Sequence, residues 1–176
     1  MNAKRVFLAV PASPEVAARA EEFAARYDRL PVRWLKGKNL HLTLVPPWHE
    51  ENVPALTARL ANLGPLSEPF ELRLKRITYG PDLRQPRLIW AEGDTLPALL
   101  SLRDSLLAAV GQGAEARPFR VHLTLARFRP ENFAGFPVKK LDESIDWTWR
   151  TDSFVLFESR LLPSGAEYEI LKEIKL

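Results

Sequence analysis

The chain of 176 residues contains no cysteine. That excludes disulfides, thiolate metal sites and a cysteine nucleophile, and it fits a reducing cytosol. The sequence also lacks a Gly-rich phosphate loop, a G-x-S-x-G nucleophile elbow and a complete H-E-x-x-H pair, although His49-Glu50 begins like the last. No apolar run approaches the length of a membrane span. Lys4 and Arg5 precede a short apolar run at 6–10, but Pro11 cuts it off too early for a secretory leader. A strand is expected there, in a soluble, cytoplasmic protein. Charge is nearly balanced, with 25 Lys and Arg against 22 Asp and Glu. So small an excess admits an anionic or nucleic-acid partner without demanding one. Most of the basic residues are arginine, which forks well onto phosphate.

Histidine is scarce too. There are three, and two of them begin the same tetrapeptide: His41-Leu42-Thr43-Leu44 and His122-Leu123-Thr124-Leu125. Each copy lies in a run of β-formers, at 39–45 and 121–128. Alternate side chains of a strand share a face. His41 and Thr43 therefore point one way and the leucines the other, and His122 and Thr124 repeat the arrangement. Each copy is a strand with a leucine face for a core and a His-Thr face for something polar. One of the scarcest side chains falls twice at one place in one pattern, which argues against coincidence.

The remaining pattern is that of an α+β domain spanning 1–176. A strand is expected at 5–10. Ser13 is a candidate N-cap and Pro14 a first helical residue, opening a helix over 14–30 that Pro31 stops. Residues 32–35 read as extended and Gly37 as a turn. Pro46-Pro47 is expected to end the first motif strand, since proline cannot continue a ladder, leaving Trp48, His49 and Glu50 in a loop. A second helix spans 53–63. Phe70, Leu72 and Leu74 alternate with Glu71, Arg73 and Lys75 as a half-buried strand, and 87–92 forms another. A third helix over 95–110 carries Leu99, Arg103, Leu106 and Leu107 at helical spacing. Residues 131–145 read as irregular. Strands at 151–160 and 168–174 flank a turn at Pro163-Ser164-Gly165. Trp34, Trp90, Trp147 and Trp149 are expected to pack in the core or a hairpin. Two lobes would set the tetrapeptides face to face across a cleft.

Two facing imidazoles can serve as acid and base in one step. A threonine two residues on offers a hydroxyl to an anionic oxygen. In-line displacement at phosphorus needs an acid and a base on opposite sides, with donors to the non-bridging oxygens. Two copies of His-x-Thr meet that requirement. The competing use of the same side chains is a zinc site of His41, His49 and His122, but no carboxylate accompanies either tetrapeptide.

The two tetrapeptides resemble the paired H-x-T-x motifs of the 2H phosphoesterase superfamily. Within it, the chain is similar to the RNA 2',3'-cyclic phosphodiesterases, historically called 2'-5' RNA ligases. The resemblance extends to Arg5-Val6-Phe7-Leu8-Ala9-Val10, Pro86-Arg87-Leu88-Ile89-Trp90, Arg117-Pro118-Phe119 and Phe154-Val155-Leu156-Phe157-Glu158-Ser159-Arg160-Leu161. It implies a two-lobed α+β fold around a central cleft. It also implies opening of a terminal 2',3'-cyclic phosphate on RNA to a 2'-phosphate, without metal or other cofactor. By the same resemblance His41 is the proton donor, His122 the proton acceptor, and Thr43 and Thr124 hold phosphate oxygens. The partner is RNA with a cyclic phosphate end, and a monomer with no membrane contact is expected. Ligation of a 2'-5' bond, or non-catalytic RNA binding in the same cleft, are the alternatives. The chain departs from the family pattern at Val45-Pro46-Pro47-Trp48, where Trp48 is a candidate for stacking on a base, and at Val121, where proline is usual. Arg120 and Arg127 are candidate phosphate ligands. Strand alternation sets Arg120 on the face of His122 and Arg127 on the opposite face, unless a bulge intervenes.

Overall fold

The computed structural model of the chain describes residues 3–113, 115–163 and 165–176. Nine strands form two antiparallel sheets among these residues. The strands are β1 (Lys4–Pro11), β2 (Arg33–Trp34), β3 (His41–Glu50), β4 (Phe70–Gly80), β5 (Leu88–Gly93), β6 (His122–Arg127), β7 (Asp142–Thr151), β8 (Ser153–Leu162) and β9 (Gly165–Lys175). One sheet has the order β3-β1-β8-β9 and the other β2-β6-β5-β4-β7. Each sheet therefore carries one tetrapeptide. Three helices complete the α+β fold: α1 (Pro14–Arg26), α2 (Val53–Ala61) and α3 (Pro97–Ala109).

Alternation decides which residues meet. Val6, Leu8 and Val10 of β1 join Leu42 and Leu44 of β3, Leu123 and Leu125 of β6, and apolar side chains of all three helices in one main core. The intervening residues Phe7 and Ala9 face the other way, into a smaller cluster with Val155, Phe157 and Tyr168. The central strand β1 is thus buried on both faces. Full burial of rings such as Phe7 and Phe157, each 1% exposed, stabilises the fold by about 1.5–3 kcal/mol apiece.

Several expectations need correction. The strand β3 does not stop at Pro46-Pro47 but runs on to Glu50, with Trp48 opposite Val6 and His49 opposite Arg5. It is an edge strand, so missing N–H groups are tolerated, and the prolines fall where the ladder slips past Phe7. Ser13 caps α1 as expected, accepting from the Val16 N–H. The helix ends four residues before Leu30, because the chain turns at Tyr27 to deliver Leu30 to the core. α2 and α3 are likewise shorter than the spacing suggests, with Asn62 and Leu96 as their respective flanking caps. The stretch expected to be irregular at 131–145 begins with a 3-10 turn at Pro130–Gly135 but ends in β7, which pairs along β4. Trp147, Trp149 and Thr151 of β7 are buried at alternate positions, a period of two that extends the sheet. Arg103 on the apolar stripe of α3 is buried through an ion pair with Glu115 at 3.0 Å and a stack on Phe119 at 4.9 Å. Ser164, the centre of the expected turn before β9, lies outside the described residues.

Candidate active site

The two tetrapeptides adopt the same local structure. In β3, Thr43 lies opposite Ala9 and Val45 opposite Leu8, so Leu44 is an extra residue in the ladder. In β6, Thr124 lies opposite Trp90 and Ala126 opposite Ile89, so Leu125 is the extra residue. Each copy of His-Leu-Thr-Leu therefore carries a β-bulge at its second leucine. The bulge sends two consecutive side chains to the core: Leu44 with Val45, and Leu125 with Ala126, each no more than 1% exposed. Alternation then resumes out of phase. Arg127, assigned to the far face by simple alternation, reaches the wall of the cavity that holds His41 and Thr43.

The imidazoles are held in matching fashion. His41 Nδ1 lies 2.9 Å from the Asn39 carbonyl oxygen, and His122 Nδ1 lies 2.9 Å from that of Arg120. A carbonyl only accepts, so each Nδ1 carries the hydrogen and each Nε2 is left to take or give a proton. Aromatic rings support both. Phe7 packs against His41 at 4.9 Å with Tyr168 edge-on at 5.0 Å, and Trp90 packs against His122 at 4.7 Å. His41 is pushed down to about 4, first by burial, then by the charges of Arg127 and His122, against the opposing pull of the Asn39 carbonyl. His122 is also lowered, first by burial and further by Arg127 and Arg120, while the Arg120 carbonyl and Glu115 oppose the shift. His41 senses the charge of His122, and both imidazoles sense Arg127.

The cavity beside His41 has a volume of about 370 Å³. Its wall includes Thr43, Pro47, Arg127, Arg5, Arg33 and Tyr168. Thr124, only 8% exposed, lies on β6 two residues from His122. Arg120 is close to His122 but its guanidinium lies over the Trp90 ring, 5.9 Å from the centroid, in a separate hollow shared with Lys75, Arg76, Glu92 and Asp94. Trp48 is half-buried against the main core and is not in the cavity wall, because Pro47 takes the cavity-facing position. His49 is exposed at the far end of β3. Eight residues at about 3.3 Å each set it roughly 25 Å from His41 along the strand, so the three histidines do not converge as a zinc site would require. Arg5, Arg33 and Tyr168 were not legible as site residues. Arg5 arrives through pairing of β1 with β3, Arg33 through pairing of β2 with β6, and Tyr168 through the β8–β9 hairpin.

Comparison with known proteins gives a consistent result. The profile of the 2'-5' RNA ligase superfamily matches residues 11–161. A Thermus thermophilus protein named RNA 2',3'-cyclic phosphodiesterase is 31% identical, the alignment covering 98% of this chain and 90% of that one. A Bacillus subtilis protein of the same name is 30% identical over 94% of this chain and 93% of the other. A crystal structure of a Thermus thermophilus protein superimposes with a TM-score of 0.80 at 29% identity, covering 98% of this chain and 97% of that one.

Proposed function

Because the chain belongs to the 2'-5' RNA ligase superfamily, we propose that it hydrolyses the 2',3'-cyclic phosphate at the 3' end of RNA to a 2'-phosphate, using His41 and His122 as an acid–base pair without metal. The observation that carries this reading is the duplicated imidazole arrangement, with Nδ1 engaged by a backbone carbonyl in both copies and Nε2 left for chemistry. The names of relatives aligned over nearly the whole chain support it. Protonated His41 gives its proton to O3' as the P–O3' bond breaks. Neutral His122 takes a proton from the water that forms the new P–O bond. Thr43 and Thr124 donate to the non-bridging oxygens, and Arg127, whose charge reaches both imidazoles, balances the charge that builds there. Arg120 acts from the side of His122. The reaction ends with His41 neutral and His122 protonated, and exchange with solvent restores the pair.

An oligonucleotide ending in a 2',3'-cyclic phosphate, incubated with the protein in chelator, should be converted to a 2'-phosphate with a free 3'-hydroxyl, identified by phosphorus NMR. Activity that vanishes in chelator and returns with one metal would overturn the metal-free mechanism. A 3'-phosphate product would reverse the assignment of the leaving oxygen. Thr43→Val and Thr124→Val keep the shape of the side chain but remove a donor, and each should cost about 1–3 kcal/mol of transition-state binding, read as kcat/KM. An unaltered kcat/KM in either variant would remove that hydroxyl from the phosphate site.

A further inference from the structure

The two imidazoles are held alike, but the carbonyls that hold them are not. Asn39, the acceptor for His41, closes a 3-10 turn, Gly37–Asn39. Backbone bonds fix that turn on both sides. The Asn39 N–H donates to the Lys36 carbonyl at 3.0 Å, the Leu40 N–H to that of Gly37 at 3.0 Å, and the Ala12 N–H to that of Leu40 at 2.9 Å. Arg120, the acceptor for His122, lies near the end of the connection from α3 to β6. Among the described residues no backbone–backbone hydrogen bond is made by 115–120, and the ties to β5 begin at Val121, whose carbonyl accepts from the Gly93 N–H at 3.2 Å. A stretch with so few backbone bonds opens easily unless side chains hold it.

The side chain that reaches this stretch from the core is Arg103. It stands on the leucine-rich face of α3 and is 5% exposed. Its guanidinium pairs with Glu115 at 3.0 Å and stacks on Phe119 at 4.9 Å, so it grips the stretch at both ends. Phe119 packs against the main core, one residue before Arg120. The Arg103 Nε is buried and makes no hydrogen bond. Burying a guanidinium is costly, and an apolar side chain of similar size commonly stabilises such a position as well or better. Stability therefore does not account for this arginine. We propose that Arg103 is a positioning residue of the reaction: by clamping Glu115 and Phe119 it fixes the Arg120 carbonyl, and that carbonyl fixes the tautomer and the aim of His122. The inference rests on the acid–base reading above for its effect on rate, and on geometry alone for its effect on the imidazole.

The test is Arg103→Met. Methionine fills much of the buried space, and Glu115, with half of its side chain exposed, stays solvated without its partner. Tm should hold or rise. With adenosine 2',3'-cyclic phosphate as substrate, kcat should fall about tenfold, the effect of a base held slightly off line. KM should change little, because Thr43, Thr124 and Arg127 stay in place. Arg103→Lys keeps a charge for Glu115 and should recover part of kcat. The chain has three histidines, so nitrogen NMR can follow each ring, with His41→Gln and His122→Gln assigning the signals. At a pH where the rings are neutral, His122 of the wild type should carry its proton on Nδ1. In Arg103→Met the Nε2–H tautomer of His122 should grow, while the His41 signals stay as they are. Unchanged His122 signals, or equal changes in His41 and His122, would overturn the clamp. So would a fall in Tm with nothing specific to His122, which would make Arg103 merely structural, or an unchanged kcat. If the wild type does not hydrolyse the cyclic phosphate, the acid–base reading fails, and the tautomer of His122 still decides the clamp.

Discussion

Replacing His41 or His122 by alanine should slow hydrolysis of the cyclic phosphate by about 10²–10⁴-fold in either case. The double variant should lose far less than the product of the two single losses, because both imidazoles act on one transition state. The matching Nδ1–carbonyl bonds make this expectation specific, since each ring has its Nε2 held in place by its own strand. The rings also pack on aromatic neighbours, so thermal unfolding should accompany the kinetics. Glutamine at either position occupies similar space and cannot relay a proton, and it should lose as much activity as alanine with less change in stability. A glutamine variant with near wild-type turnover would remove that histidine from the chemistry.

The pH profile should be displaced by the substrate. In the free protein both imidazoles sit below the ordinary value of 6.5, with His41 near 4. Reaction needs one protonated and one neutral, and kcat/KM reports the free enzyme. The alkaline limb of kcat/KM should therefore begin below 6.5 and fall about tenfold per pH unit, as the pair loses its remaining proton. Bound phosphate is an anion beside the rings, and it favours imidazolium over imidazole, so it raises both values. The alkaline limb of kcat, which reports the bound state, should then lie at higher pH than that of kcat/KM. Proton uptake on binding a 2'-phosphate product, measured near neutral pH by calorimetry in buffers of different ionisation enthalpy, should carry the same sign. A kcat limb at or below that of kcat/KM would show that the anion does not recharge the pair. The limbs belong to the coupled pair, so they fix the number of protons and not which ring holds them.

Much of this was legible in local pattern. The leucine and His-Thr faces of both motif strands, the Ser13 cap and the packing of Trp90, Trp147 and Trp149 follow from alternation or from one turn of helix. What escaped depends on partners distant in sequence. Pro46 and Pro47 stop a central strand, but nothing local says that β3 lies at an edge. The face of Arg127 depends on an extra residue at Leu125 that is defined only against β5. Arg5 and Arg33 reach the cavity because two ladders, β1 with β3 and β2 with β6, bring them there. Trp48 reads as a loop aromatic only if the strand has ended, and it has not.

The twin bulges also constrain how such a chain can vary. A regular strand has only two phases, and residues that act together must be separated by an even number of positions. His122 and Arg127 are five positions apart and both reach the histidine pair, which an uninterrupted strand forbids. The odd interval is the mark that the bulge at Leu125 leaves in the chain. It follows that apolar replacements at Leu44 or Leu125 leave the frame intact, while deleting or inserting one residue between histidine and the positions that follow inverts every side chain beyond it. Length variation among related chains should accordingly gather outside 41–47 and 122–127, in connections such as the one between α3 and β6.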